Sequence, residues 1–259
     1  MIELRNLTKT FGDFTAVDRL NLEVVPGEIL GFLGPNGAGK TTTIRMMAGI
    51  LKPTGGTAII GGYDIARRPL EAKRTFGFIP DRPFLYEKLT GGEFLRFVSG
   101  LYDLPGARGR ERRGRLLELF ELEAWKNEPV SSYSHGMKQR LVMAGALLPE
   151  PRVLIVDEPM VGLDPKAARL VKQIFREAAG AGVSLFMSTH SLEVAAETCD
   201  RIAIILQGKL IAQGTVKELE RMVDGDGASL ESIFLELTGG WVTEVGDFLH
   251  KRSPEADGA

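Results

Sequence analysis

The chain has 259 residues, of which 44% are hydrophobic and 25% are charged, and its formal net charge is −2. This length allows one large or two small domains, and the near-neutral charge gives no global electrostatic reason to bind nucleic acid or a membrane surface. A single cysteine excludes an internal disulfide framework, and the absence of an apolar run of roughly 20 residues excludes a membrane span, so any membrane role is expected to come through a partner.

The first 30 residues predict short strands, because apolar and polar residues alternate there and turns are indicated at 12–13 and 26–27. Five apolar runs further along predict more strands, at residues 57–61, 76–80, 153–156, 185–188 and 202–206. Residues 90–149 are mostly helical in pattern, and Thr90 and Glu93 form a capping-box sequence at their start. Strands alternating with helices predict an α/β fold with a largely parallel, covered sheet, into which the helical block is inserted.

The stretch Gly-Pro-Asn-Gly-Ala-Gly-Lys-Thr at 34–41 fits the phosphate-binding pattern G-x-x-x-x-G-K-[ST]. An apolar run at 29–33 precedes it and a predicted helix at 41–49 follows it, which is the context that this loop requires. Its backbone N–H groups and the helix N-terminus suit phosphate oxygens, Lys40 supplies a cation to the β- and γ-phosphates, and Thr41 supplies a hydroxyl ligand for Mg²⁺. The predicted phosphate-binding residues are Gly34, Pro35, Asn36, Gly37, Ala38, Gly39, Lys40, Thr41 and Thr42.

Two adjacent acids, Asp157 and Glu158, end the apolar run at 153–156. Burying them without compensation would be costly, and a metal ion supplies that compensation. We expect Asp157 to hold Mg²⁺ and Glu158 to polarise the water that attacks the γ-phosphate. His190 follows the apolar run at 185–188, and in a parallel sheet it reaches the same edge, where it would contact the γ-phosphate and orient Glu158.

With the segment Tyr-Ser-His-Gly-Met-Lys-Gln-Arg at 133–140, the chain resembles the nucleotide-binding subunit of ATP-binding cassette (ABC) transporters over residues 1–220. The resemblance is greatest to single-cassette ATPase subunits of bacterial exporters. It implies a P-loop NTPase core with an N-terminal antiparallel β-subdomain, a helical subdomain at about 82–150 and a C-terminal extension at 221–259. It also implies that Ser134 and Gly136 face the γ-phosphate of ATP held by a second subunit, although Ser134 can also simply cap its helix.

The resemblance assigns three further features. Phe11 stands where the family stacks an aromatic ring on adenine; the alternative is a core aromatic residue. The Gly-Leu-Asp-Pro segment at 162–165 matches the loop that links the two sites, and Asp164 also suits an N-cap. Asp81 replaces the usual glutamine that touches Mg²⁺, and the loop around it is where the family docks its membrane subunit. The segment at 133–140 corresponds to the family's signature motif and is called the signature segment here; its Tyr-Ser-His-Gly-Met departs from the common Leu-Ser-Gly-Gly-Gln.

The resemblance implies an Mg²⁺-dependent ATPase that dimerises head to tail around two ATP molecules and drives separate transmembrane permease subunits. It favours a homodimer and leaves a heterodimer open. We expect it at the inner, cytoplasmic face of the cell membrane. A soluble ABC ATPase, a P-loop kinase and a nucleotide-gated interaction module remain alternatives.

Two other segments carry open interpretations. The apolar face formed by Leu230, Ile233, Phe234 and Leu237, which follows a predicted flexible break at 224–227, favours packing on the chain's own core over a dimer or partner contact. The five arginines between Arg108 and Arg115 favour a solvated helix face over contact with acidic lipid head groups.

Overall fold

The computed structural model describes residues 1–104, 106–222 and 230–238. The strands described are β1 Ile2–Phe11, β2 Phe14–Val24, β3 Ile29–Leu33, β4 Gly55–Ile60, β5 Tyr63–Asp64, β6 Phe76–Ile79, β7 Val153–Asp157, β8 Ser184–Thr189, β9 Arg201–Leu206 and β10 Lys209–Gly214. The helices described are α1 Lys40–Met47, α2 Pro69–Lys73, α3 Gly91–Leu101, α4 Gly106–Leu119, α5 His135–Leu147, α6 Pro165–Gly180, α7 Leu192–Thr198, α8 Val216–Glu220 and α9 Leu230–Thr238. Two short 3-10 turns, Glu123–Trp125 and Val130–Ser132, lie between α4 and α5.

A six-stranded sheet in the order β10-β9-β3-β8-β7-β6 forms the centre of the fold. Its strands are parallel except for β10, which pairs antiparallel with β9. Alternate residues of the central strands enter two separate cores. Leu33 and Val156 pack in the cluster with α5 to α7, and Phe32 and Ile155 pack in the cluster with α1 and the N-terminal strands. Because both faces are covered, these strands are continuous apolar runs, which confirms the prediction of a largely parallel sheet.

A second sheet, in the order β2-β1-β4-β5, is antiparallel throughout. The prediction of short strands in the first 30 residues was wrong, since β1 and β2 are 10 and 11 residues long. Register shifts along their pairing, between Leu4 and Leu7 and again near Lys9, interrupt the period-two alternation. A bulge moves the apolar positions out of phase, so one long strand looks like two short strands in the sequence.

The helical block, α3 to α5, stands between β6 and β7, which are neighbours in the central sheet. Thr90 and Glu93 form the predicted capping box at the start of α3. Four of the five arginines have partners in the structure: Arg112 donates to the carbonyl oxygens of Leu147 and Leu148, and Arg113 donates to Ser99, while Arg108 and Arg115 form ion pairs. Arg108, Arg112 and Arg113 therefore connect α4 to neighbouring segments, whereas Arg115 pairs with Glu111 of the same helix. Lipid contact stays an untested alternative, and the domain boundaries near 82, 150 and 220 stay predictions.

The C-terminal helix α9 packs on the rest of the chain. Leu230 and Ile233 are buried in the same core cluster as Leu219 of α8 and Ala195 of α7. Packing on the chain's own core is thereby confirmed for this helix, because its apolar face is covered by α7 and α8. The break predicted at 224–227 lies outside the described residues.

Candidate functional site

Four neighbouring strands of the central sheet, β3, β8, β7 and β6, end at one edge. The glycine-rich loop follows β3, Asp157 ends β7, His190 follows β8 and Asp81 follows β6. The register places Leu33 beside Thr189 and Asp157 beside Ser188, so these chain ends meet although they are far apart in sequence. This edge, at the carboxyl ends of parallel strands, is where open α/β sheets bind ligands.

A cavity of about 680 Å³ opens at this edge. Most of the predicted site residues line it: Phe11, Pro35, Asn36, Gly37, Gly39, Lys40, Thr41, Thr42, Asp81, Asp157, Glu158 and His190. Its lining also includes residues that were not predicted as site residues, namely Phe14, Ala16, Arg82, His135 and Val161. Gly34 and Ala38 are not in the lining, and neither are Ser134 and Gly136.

The glycine-rich loop turns sharply into α1. Gly39 is the N-cap of α1 with φ of +110°, and a Cβ atom there would lie 2.6 Å from the carbonyl oxygen of Ala16. Gly34 is packed just as closely, because a Cβ atom would lie 2.4 Å from the carbonyl oxygen of Ile205. Side chains larger than hydrogen would push the loop away from the sheet, so glycine is required for the close approach of the backbone.

Lys40 is the buried cation of the cavity, with 8% of its surface exposed. Its Nζ atom donates to the carbonyl oxygens of Gly34 at 2.6 Å and Pro35 at 3.2 Å. Burial lowers the pKa of Lys40, and the negative charges of Glu158 and Asp157 oppose that shift. The ammonium group therefore stands at the N-terminus of α1 next to two carboxylates, in a position that suits an anionic phosphate chain.

Asp157 is buried at the end of β7, with 4% of its surface exposed, and the hydroxyl of Ser188 donates to its Oδ1 atom. Burial is the largest influence and raises the pKa of Asp157, while the Ser188 hydrogen bond lowers it. Asp81 and Glu158 lie close enough for their charges to raise it further. Such a cluster of carboxylates disfavours its own ionised state, and a bound divalent cation would reverse that.

Glu158 and His190 form a pair across the cavity edge. Nδ1 of His190 lies 2.9 Å from Oε2 of Glu158, as expected from their positions at the ends of parallel strands. Glu158 adopts φ of +49°, and its backbone N–H donates to the carbonyl oxygen of Ser188 at 3.1 Å. A left-handed backbone is uncommon for glutamate, and here the strand neighbour holds it in place. The imidazole thus fixes the direction of the carboxylate, which is what a group that orients water needs.

Ser134 and Gly136 of the signature segment lie outside the cavity of their own chain. Ser134 accepts a hydrogen bond from the backbone N–H of Met137 at 3.3 Å and so caps α5. Its neighbour His135 lines the cavity edge and packs on Gly162, where a Cβ atom would lie 2.5 Å from the imidazole Cδ2. The structure therefore shows the capping role of Ser134, and its role toward a nucleotide stays a prediction.

Comparison with known proteins identifies the family. Residues 17–161 match the family model described as ABC transporter. The chain is 39% identical over 247 residues to the Probable multidrug ABC transporter ATP-binding protein YbhF of Escherichia coli (strain K12), covering 94% of this chain and 43% of that relative. It is 39% identical over 219 residues to Nod factor export ATP-binding protein I of Cupriavidus metallidurans, covering 85% and 72% respectively. The chain therefore spans less than half the length of the first of these relatives.

Two solved structures share the fold. The ATP-binding subunit of an ABC transporter superposes with a TM-score of 0.88 at 35% identity, covering 92% of this chain and 99% of that chain. The cassette MJ0796, described as dimeric in a post-hydrolysis state bound to ADP and Pi, gives a TM-score of 0.76 at 26% identity, covering 83% and 98%. The resemblance inferred from the motifs is confirmed. Because the matched region contains both the glycine-rich loop and the acidic end of β7, the chain belongs to the ABC transporter family.

Proposed function

We propose that the chain is the ATP-hydrolysing subunit of a membrane transporter, and that it works as a head-to-tail dimer around two ATP molecules. One observation carries the proposal. The cavity brings together Lys40, Asp157, Glu158 and His190, whereas Ser134 and Gly136 of the same chain lie outside it. Of the signature segment only His135 lines the cavity, so Ser134 and Gly136 are left to face a nucleotide held by a second chain, and two chains would complete each other's sites.

The residues at the cavity support hydrolysis of the γ-phosphate. The loop N–H groups and Lys40 hold the β- and γ-phosphates. When the phosphates bind, Lys40 exchanges its contacts with the carbonyl oxygens of Gly34 and Pro35 for contacts with phosphate oxygens. The Glu158 carboxylate accepts a hydrogen bond from a water molecule and directs its oxygen at the γ-phosphorus. His190 keeps that carboxylate in position. The bond from the γ-phosphorus to the bridging oxygen breaks, and ADP and inorganic phosphate are the products.

Magnesium fits this donor set. In the described ranges no three His, Cys, Asp or Glu side chains form a group that could hold a metal ion by themselves. Thr41, Asp157 and Asp81 all line the cavity, and with phosphate oxygens they would provide the hard oxygen ligands that Mg²⁺ prefers. When bound, Mg²⁺ would neutralise the charge of the phosphates.

Coupling to transport would use a second surface. No helix among the described residues is long and apolar enough to cross a bilayer. An apolar groove of about 420 Å³ lies between β6, α3 and α5, and Phe84 at its edge is 82% exposed. We propose that this groove receives a transmembrane subunit, which would place the chain at the inner face of the cell membrane, and that the substrate is exported, as the name of the Cupriavidus relative states for that protein.

The variant Glu158→Gln tests the enzymatic part of the proposal. It should abolish phosphate release while ATP, and not ADP, shifts the chain from monomer to dimer in size-exclusion chromatography with light scattering. The tagged variant, added with ATP to detergent-solubilised host membranes, should also retain a multi-span membrane protein. Normal turnover would remove Glu158 from catalysis, and recovery of soluble partners alone would favour a soluble ABC ATPase.

A further inference from the structure

The tip of the β1–β2 hairpin carries two exposed aromatic rings. Phe11 and Phe14 are direct cross-strand partners on either side of a two-residue turn. Cross-strand partners point to the same face of a sheet, with their Cβ atoms about 5 Å apart. Both rings line the same cavity as the glycine-rich loop and the acidic residues, and they are 50% and 65% exposed. Two large apolar groups in solvent at one cavity mouth point to a ligand that covers them.

Phe11 is restrained on one side. The Nζ atom of Lys9 lies 5.0 Å from the centroid of the Phe11 ring and donates to the carbonyl oxygen of Lys52 at 2.9 Å. The ammonium group thus covers part of the Phe11 ring and is itself tied to the backbone of another segment. This contact leaves Phe11 with less free area for a ligand, and Phe14, which has no ring contact among the described residues, provides the larger exposed surface.

We infer that Phe14 is a second base-contacting residue, which together with Phe11 forms the apolar wall against which the nucleotide base lies; the inference rests on the proposed function. The β1–β2 hairpin contributes Phe11, Phe14 and Ala16 to the cavity lining, and none of these side chains has a hydrogen-bonding group. The hairpin would therefore hold the base by ring contact and apolar burial, while the glycine-rich loop holds the phosphates. Replacing an aromatic residue that stacks on a base with alanine weakens the affinity for the nucleotide about fivefold or more.

The test distinguishes binding of the base from binding of the phosphates. We would measure the dissociation constants of ATP and of inorganic tripolyphosphate for the full chain by calorimetry. Phe14→Ala should weaken ATP about five- to tenfold and leave tripolyphosphate unchanged, as should Phe11→Ala. Phe14→Tyr, which keeps the ring, should bind ATP within about twofold of wild type. Phe97→Ala, an exposed aromatic outside the cavity, is the matched control for loss of a surface ring.

Two results would overturn the inference while leaving the proposed function intact. In the first, Phe14→Ala binds ATP as wild type does, although Phe11→Ala does not. In the second, Phe14→Ala weakens ATP and tripolyphosphate by the same factor, which would mean that the residue supports the hairpin and not the base. If the wild-type chain binds neither compound, the proposed function itself fails.

Discussion

Replacing Ser188 with alanine removes the hydroxyl that donates to the buried carboxylate of Asp157. Ser188 is fully buried and Asp157 is 4% exposed, so the carboxylate oxygen that loses its donor has little contact with bulk water. A hydrogen bond to a charged group contributes about 1.5–3 kcal/mol to stability. For a chain of this size, that loss lowers the melting temperature by roughly 3–12 °C.

The loss should depend on pH in one direction. Burial raises the pKa of Asp157, and the Ser188 hydrogen bond lowers it by favouring the ionised carboxylate. The stabilisation by Ser188 is therefore complete above the higher pKa that Asp157 has in the variant, and it is lost as the pH falls through the lower pKa of the wild-type carboxyl. Without Ser188 the pKa of Asp157 rises further, so the difference between variant and wild type should be largest near neutral pH and smaller in acid.

The matched control lies on the same strand. Ser184 of β8 is also fully buried, and its hydroxyl has no hydrogen-bond partner in the described structure. Ser184→Ala should leave stability unchanged or increase it slightly, because no hydrogen bond is lost. The assay is urea unfolding of both variants across a pH series, without nucleotide and with a chelator. Equal losses for the two variants, or a Ser188→Ala loss that is independent of pH, would refute the reasoning.

Two further predictions concern parts of the chain away from the cavity. Burial raises the pKa of the Cys199 thiol to about 12, so at pH 8 roughly one thiol in ten thousand is ionised. A thiol reagent should label the native chain slowly and the urea-unfolded chain at once; rapid native labelling would contradict this. Thr90→Ala removes the N-cap of α3 and should cost about 1 kcal/mol in urea unfolding. Glu93→Gln keeps a capping-box sequence and should cost less; an equal or larger cost would count against the box.

The central sheet was predictable because its strands are buried on both faces. A strand that is covered on both faces is apolar at every position, as in Val153–Val156, and such a continuous apolar run is visible in the sequence. The strand lengths of the N-terminal sheet were predicted wrongly, because bulges in β1 put the alternation of apolar and polar residues out of phase. The glycine-rich loop was predictable because its glycines, lysine and threonine stand within eight consecutive positions of the sequence.

The contacts between chain segments needed the tertiary structure. Ser188 donates to a residue 31 positions earlier, and no pattern around Ser188 distinguishes it from Ser184 on the same strand. Phe14 became a candidate only when the hairpin register placed it opposite Phe11 at the cavity mouth.

The sequence by itself therefore determined the family, the fold class and the residues that local motifs mark, because loop conformation and strand burial are encoded within a few neighbouring positions. The tertiary structure decided which side chains meet where the sequence predicted no contact: Ser188 with Asp157, and Phe14 opposite Phe11 in the cavity lining. Those meetings depend on strand order and register, which are set by the packing of the whole chain and not by any single segment.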